Sequence, residues 1–167
     1  MVIDASSPNV VVHTRPGMGR LALWVLLCLG GGLAIGLFFQ PGEWFRALER
    51  PTFAPPDWVF GPVWSTLYVL MAIAMWRVER RPDQEAVSVA RKYFLGQLAV
   101  NFAWTPVFFG MHAISVALGV IVGLWVLLSA TILFFHSLDR PAAWMLLPYW
   151  AWVAFATALN AVYFYLN

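Results

Sequence analysis

Apolar runs and short polar breaks alternate along almost the whole chain, and the runs have the length of membrane-crossing helices. The first covers residues 21–39, enough to cross roughly 30 Å of hydrocarbon. A second covers residues 59–76 and stops at Arg77. Residues 77–85 form the most charged stretch and predict a loop. Residues 93–138 contain no Asp, Glu, Lys or Arg, which is too long for one span. Gly110-Met111-His112 is the natural break there, giving span three over 93–110 and span four over 114–135. A polar turn at 136–141 precedes span five, 142–166. The pattern predicts an all-α membrane protein, a five-transmembrane-helix bundle in one domain over residues 18–167, after a polar tail over residues 1–17. Five spans place the two termini on opposite sides. No small-residue cleavage pattern follows the first run, so it reads as a retained span rather than a signal peptide.

Composition sharpens this. Hydrophobic residues make up 62% of the chain and charged ones 11%, against roughly 45–50% and about 25% in soluble domains. Ten tryptophans exceed what interface belts need, so some are expected to line an interior. The single cysteine, Cys28, excludes an internal disulfide and a multi-cysteine metal site. A net charge of +2, dispersed along the chain, gives no footing for nucleic acid. Lys and Arg fall mostly on one side: the tail and the second and fourth loops carry Arg15, Arg20, Arg77, Arg80, Arg81, Arg91, Lys92 and Arg140, whereas the first loop carries only Arg46 and Arg50. In a bacterial inner membrane this bias predicts a cytoplasmic amino terminus, a periplasmic carboxyl terminus and a periplasmic first loop.

That first loop is the chain's organising feature. Pro51, Pro55, Pro56 and Pro62 fix an extended approach that cannot be helical until it has passed them. Asp57 can cap the helix that follows, or Gly61 can, with Pro62 at its first position. Trp58, Trp64 and Tyr68 are thereby delivered to the mouth of span two, where Trp64 and Tyr68, four apart, share a face. A flat aromatic ligand could be held in this way. Residues 43–50 predict two turns of amphipathic helix, with Trp44, Phe45 and Leu48 facing inward or into the membrane interface, and the aromatic, proline-rich loop reads as a lid.

Polar residues at membrane depth mark the interior. Gln97, Asn101, Trp104 and Phe108 recur at spacings of four, three and four in span three; Tyr149, Trp152, Ala156, Asn160 and Tyr163 do much the same in span five. Amides in hydrocarbon need partners, so Asn101 and Asn160 are expected to face the bundle interior. Pro62, Pro106 and Pro148 each remove a backbone hydrogen bond, and the bent helices can leave a cavity. Such aromatic stripes also serve plain core packing. Gly32-x-x-x-Gly36 in span one and Ser115, Gly119 and Gly123 in span four permit close helix approach, within the monomer or between copies. His13, His112 and His136 show no metal-ligand spacing, and no hydrolase triad, P-loop or intramembrane carboxylate pair occurs.

These motifs resemble the TspO/MBR family, the tryptophan-rich sensory proteins and mitochondrial translocator proteins, also known as peripheral benzodiazepine receptors. The matching elements are Trp44-Phe45-x-x-Leu48-x-x-Pro51, Pro55-Pro56-x-Trp58-Val59-x-Gly61-Pro62-Val63-Trp64-x-x-Leu67-Tyr68, Asn101-x-x-Trp104-x-Pro106-x-Phe108-Phe109-Gly110 and Pro148-Tyr149-x-x-Trp152-x-x-Phe155. The resemblance implies a five-helix bundle, usually a homodimer. It also implies binding of porphyrins such as protoporphyrin IX and haem as ligands rather than obligate cofactors, of benzodiazepine-site ligands and, in animals, of cholesterol. Trp64, Asn101, Trp104, Trp152 and Ala156 match the family's pocket positions. Phe53 stands in the lid where many members have tryptophan. The sterol-type pattern at the carboxyl terminus is incomplete, because no Lys or Arg follows Tyr163. The implied function is sensing, sequestering or transporting porphyrin intermediates. Its rivals are light-driven porphyrin degradation, with Trp64 and Trp152 exchanging electrons with the excited macrocycle, and regulation through partner proteins with porphyrin as the signal.

Overall fold

The computed structural model describes residues 16–167; most of the predicted tail, with His13 and Arg15, lies outside the described residues. All regular structure among the described residues is helical. Helix α1 covers Met18–Phe38, with a π turn at Leu26–Gly30, and α2 is the short Glu43–Ala47. Helix α3, Phe60–Glu79, is entered through a 3-10 turn at Asp57–Val59. Helix α4, Gln84–Thr105, runs on into a second π turn at Pro106–Gly110, and α5 (Ile114–Leu138) and α6 (Arg140–Leu166) complete the chain.

Four segments are long and apolar enough to cross a membrane: Met18–Phe38, Asp57–Glu79, Ile114–Leu138 and Arg140–Leu166. The expected third span is not among them. Helix α4 carries Glu85, Arg91 and Lys92 in its first half and Gln97 and Asn101 in its second, which lowers its average hydropathy. Those two amides are nonetheless buried, so polarity in α4 is concentrated on an inward face. The outer surface is strongly apolar: Leu26, Leu37, Phe38 and Leu133 are each about 70% exposed or more. A soluble surface does not carry so much exposed aliphatic and aromatic area, whereas a lipid-facing one does.

The loops are shorter than the charge pattern predicts. Residues 77–85 are mostly helical: α3 runs to Glu79 and α4 starts at Gln84, its first turn capped by Asp83, which accepts the Ala86 N–H at 3.0 Å. Charged residues end the apolar stretch without ending the helix, because their side chains can reach water from the terminal turns. Neither predicted cap opens α3. Its entry has no side-chain cap, Gly61 lies inside the helix, and the Asp57 carboxylate turns instead to Arg50 at 2.9 Å. Pro106 widens α4 into its π turn, while α6 continues through Pro148 as one helix.

The long helices close into a ring in the order α1, α3, α6, α5, α4, the last returning to the second half of α1. Two carboxylates tie one end of the ring. Glu79, 4% exposed, accepts from Arg20 Nε at 2.9 Å and Trp24 Nε1 at 2.9 Å and pairs with Arg91 at 3.0 Å, joining α1, α3 and α4. Asp139 receives Arg77 from α3 and Arg81 from the turn that follows it, and caps α6 through the Ala142 N–H at 3.1 Å. The carboxylates are buried while their arginine partners remain a third or more exposed, so each set of contacts contributes on the order of 1–3 kcal/mol and ties this end together. At the other end Asn167 accepts from the Glu49 N–H at 2.8 Å and donates to the Glu49 carbonyl at 3.2 Å. Gly17, by contrast, lies near Trp76 at the ionic end, so the described termini sit at opposite ends of the bundle, as the span count predicts.

Candidate functional site

At the end away from the carboxylates the bundle holds a cavity of about 420 Å³. All five long helices and the first loop contribute to its wall. Helix α3 supplies Trp64 and Tyr68 from the shared face that their spacing predicts, their rings stacked at 5.5 Å. Asn101, Trp104 and Phe108 come from α4, and Ala156, Asn160 and Tyr163 from α6. Trp104 stacks on Phe108 at 5.0 Å, which leaves a broad aromatic wall rather than isolated rings.

The polar atoms of the wall are fixed by a chain of hydrogen bonds across three helices. Tyr68 Oη donates to Asn101 Oδ1 at 2.7 Å, Asn101 Nδ2 donates to Tyr149 Oη at 2.9 Å, and Tyr149 Oη donates to Gln97 Oε1 at 3.0 Å. Tyr149 and Gln97 are fully buried behind the wall. Their order means that the Tyr68 proton is committed to Asn101, so the phenol oxygen remains an acceptor toward the cavity. Across the cavity Trp104 Nε1 donates to Asn160 Oδ1 at 3.1 Å, and Asn160 Nδ2 donates to the Ile114 carbonyl at 3.1 Å. Both amides predicted to face the interior do so with partners, as low dielectric requires.

The predicted amphipathic segment packs over the cavity as a helix of one turn and a half rather than two full turns. Trp44, Phe45 and Leu48 are half-buried, as their spacing predicts. Phe45 meets Phe109 at 5.2 Å and Tyr163 at 5.5 Å, closing over the cavity. Trp44 stacks on His112 at 4.2 Å with the planes 15° apart. His112 occupies the break between α4 and α5 with φ of 56°, a left-handed conformation uncommon for a residue with a side chain. The Trp44 stack thus fastens the lid to the bend that the sequence places at Gly110-Met111-His112.

Four of the predicted site residues lie elsewhere. Trp58 is 75% exposed, because the 3-10 turn rotates it outward before α3 begins. Phe53 is about half exposed and touches Phe155 at 6.2 Å. Tyr149 supports the wall from behind. Trp152 packs edge-on against Phe60 at 5.8 Å, and it is Phe60 that lines the cavity. Spacing alone places Trp152 with Ala156, but the indole packs toward Phe60 of α3 and leaves the cavity surface to it.

One wall was not legible as such. Gly32, Leu33, Gly36 and Leu37 of α1 line the cavity, although their glycine pattern suggests only helix packing. A Cβ on Gly32 would lie 2.2 Å from Tyr68 Cε2, so this glycine lets Tyr68 reach Asn101. Gly36 meets nothing within 4 Å and opens cavity space. Gly32 therefore serves packing within the chain, whereas Gly119 and Gly123 are exposed with nothing near them. Among the described residues no group of three or more His, Cys, Asp or Glu side chains could hold a metal ion.

The TspO/MBR family model matches residues 24–166. Among curated relatives, protein CrtK of Rhodobacter capsulatus is 39% identical over 147 residues, covering 87% of this chain and 91% of that protein. The tryptophan-rich sensory protein of Cereibacter sphaeroides is 39% identical over 140 residues, covering 84% and 87% of the two chains. The translocator protein of Bos taurus is 36% identical over 151 residues, covering 87% and 88%.

Proposed function

The chain belongs to the TspO/MBR family of membrane sensory and translocator proteins, and on that footing we propose that it binds tetrapyrroles such as protoporphyrin IX or haem within a five-span membrane bundle. In this reading it senses, sequesters or transports porphyrin intermediates. The observation that carries the proposal is the cavity of about 420 Å³ walled by Trp64, Trp104 and Phe108 and floored by the Tyr68–Asn101 pair. Flat rings of this kind hold a planar ligand by stacking, and a few fixed polar atoms orient it. The lid over Phe45 slows its escape. By the same reading, α4 is the third of five spans, the amino terminus is cytoplasmic, the lid faces the periplasm, and two copies pair through the outward Gly119–Gly123 face of α5. Benzodiazepine-site ligands would share the cavity.

The test is a titration of protoporphyrin IX in the dark against wild type, Trp64→Ala, Trp58→Ala and Trp152→Phe. Loss of the Trp64 indole should weaken binding on the order of tenfold, from the area and the ring contact it supplies. Trp58→Ala and Trp152→Phe should bind like wild type. Equal losses at Trp64 and Trp58 would remove the cavity as the site. Illumination of the same samples addresses the light-driven enzyme: porphyrin absorbance that bleaches with wild type but not with a binding-competent Trp64→Phe would favour degradation over simple binding.

A further inference from the structure

Among the described residues Asp57 is the sole charged one in the cavity wall, and it stands at the mouth, where the first loop enters α3. Its carboxylate is 2.9 Å from Arg50 Nη2, and that same nitrogen donates to the Pro55 carbonyl. Both contacts of the guanidinium thus use one nitrogen. Arg50 Nε and Nη1 have no protein partner among the described residues, so most of the five-donor fork is free. The side chains of Arg50 and Asp57 are 45% and 64% exposed, and exposed ion pairs of this kind are weak enough to be exchanged.

Charge is distributed unevenly around this site. In the loop over the cavity the basic residues are Arg46 and Arg50; the other described Arg and Lys side chains lie at the far end, around Glu79 and Asp139. A ligand carboxylate cannot be accommodated deeper in the cavity, where no cation is present and desolvation is costly. It must stop at the mouth. There it meets either repulsion from Asp57 or the open fork of Arg50.

Resting on the tetrapyrrole reading above, we propose that Arg50 is a specificity-determining residue that exchanges Asp57 for a carboxylate on the edge of the bound ligand. The ligand class is then a planar macrocycle bearing acid side chains, held with its apolar body among the aromatic rings and its acid edge at the mouth. Asp57 is the internal competitor: it holds Arg50 at the cavity mouth and penalises acids that fail to engage it. Esters of the same macrocycle gain nothing from the exchange.

The experiment compares protoporphyrin IX with its dimethyl ester, in the dark and in one detergent, on wild type, Arg50→Gln and Asp57→Asn. The quantity read is the ratio of the ester's Kd to the acid's. Taking that ratio relative to wild type cancels the different partitioning of the two porphyrins into micelles. In Arg50→Gln the ratio should fall about threefold to fivefold, the range expected of a half-exposed charged contact. In Asp57→Asn it should rise, because the competing carboxylate is gone while Arg50 keeps its bond to Pro55. An unchanged ratio in Arg50→Gln overturns the proposal. So does an equal loss of both ligands, which would assign Arg50 to holding the lid alone, and so does a lower ratio in Asp57→Asn. Wild type that binds neither porphyrin refutes the underlying functional reading instead.

Discussion

Gly32→Ala tests whether α1 is a true wall of the cavity. The added Cβ would lie 2.2, 2.6 and 2.8 Å from Tyr68 Cε2, Cζ and Cδ2, while ordinary contact begins near 3.4 Å. About 1 Å of separation must therefore be found, a large displacement for a close-packed interior. The Tyr68 ring cannot simply turn aside. Its hydroxyl is held by Asn101 at 2.7 Å, and its faces are bounded by Trp64 at 5.5 Å and Phe102 at 6.0 Å. The second half of α1, from Gly31, has no buried residue and can move outward, so relief will come partly there. Two terms oppose each other. Replacing glycine by alanine inside a helix stabilises by about 1 kcal/mol, whereas overpacking typically costs about 1–3 kcal/mol. A buried hydrogen bond lost at Tyr68 adds about 1 kcal/mol more. The net expectation is destabilisation of about 1–3 kcal/mol, with weaker binding because the Tyr68–Asn101 floor is disturbed. Gly36→Ala is the control: its Cβ meets nothing within 4 Å, so only the helix-propensity gain remains. Thermal unfolding followed by tryptophan fluorescence in detergent, with ligand titration on the same samples, reads both effects. Gly32→Ala with the stability and affinity of Gly36→Ala would refute the close approach of α1 to Tyr68.

Asp139 gives a pH dependence. Burial by itself would raise its carboxyl, but hydrogen bonds from Arg81, the Ala142 N–H and Arg77 outweigh burial and hold it below the ordinary 3.8. A depressed folded value means that its stabilisation is present above the ordinary value and is lost as pH falls through the folded one. Asp139→Asn should therefore cost about 1–3 kcal/mol at neutral pH, and its unfolding curve should converge with wild type in acid; parallel curves at all pH would rule out this contribution. For assembly, Gly119→Leu should weaken dimers in detergent by obstructing the open face of α5. Undiminished dimer on cross-linking would place the interface elsewhere; Gly32→Leu is not a test of this interface, since its neighbour Tyr68 belongs to the same chain.

Period and composition suffice for the helices and for much of the site. Apolar runs of span length between charged breaks set the elements, because a backbone in lipid must satisfy its hydrogen bonds internally. Trp64 with Tyr68, and Asn101 with Trp104 and Phe108, could be grouped because residues three and four apart share a helix face. Asn101 and Asn160 had to find partners, since bare amides in that environment are costly. What the chain's own order could not decide was rotation and depth. Only packed neighbours determine that the 3-10 turn sends Trp58 outward, that Trp152 falls behind Phe60, or that Tyr149 lies beneath the wall rather than in it. The same limit applied to Gly32 of α1, whose role depends on a tyrosine 36 positions away. Helical periodicity is local, whereas a cavity is a relation between surfaces from five helices and a loop. Its shape is set where their side chains compete for one volume.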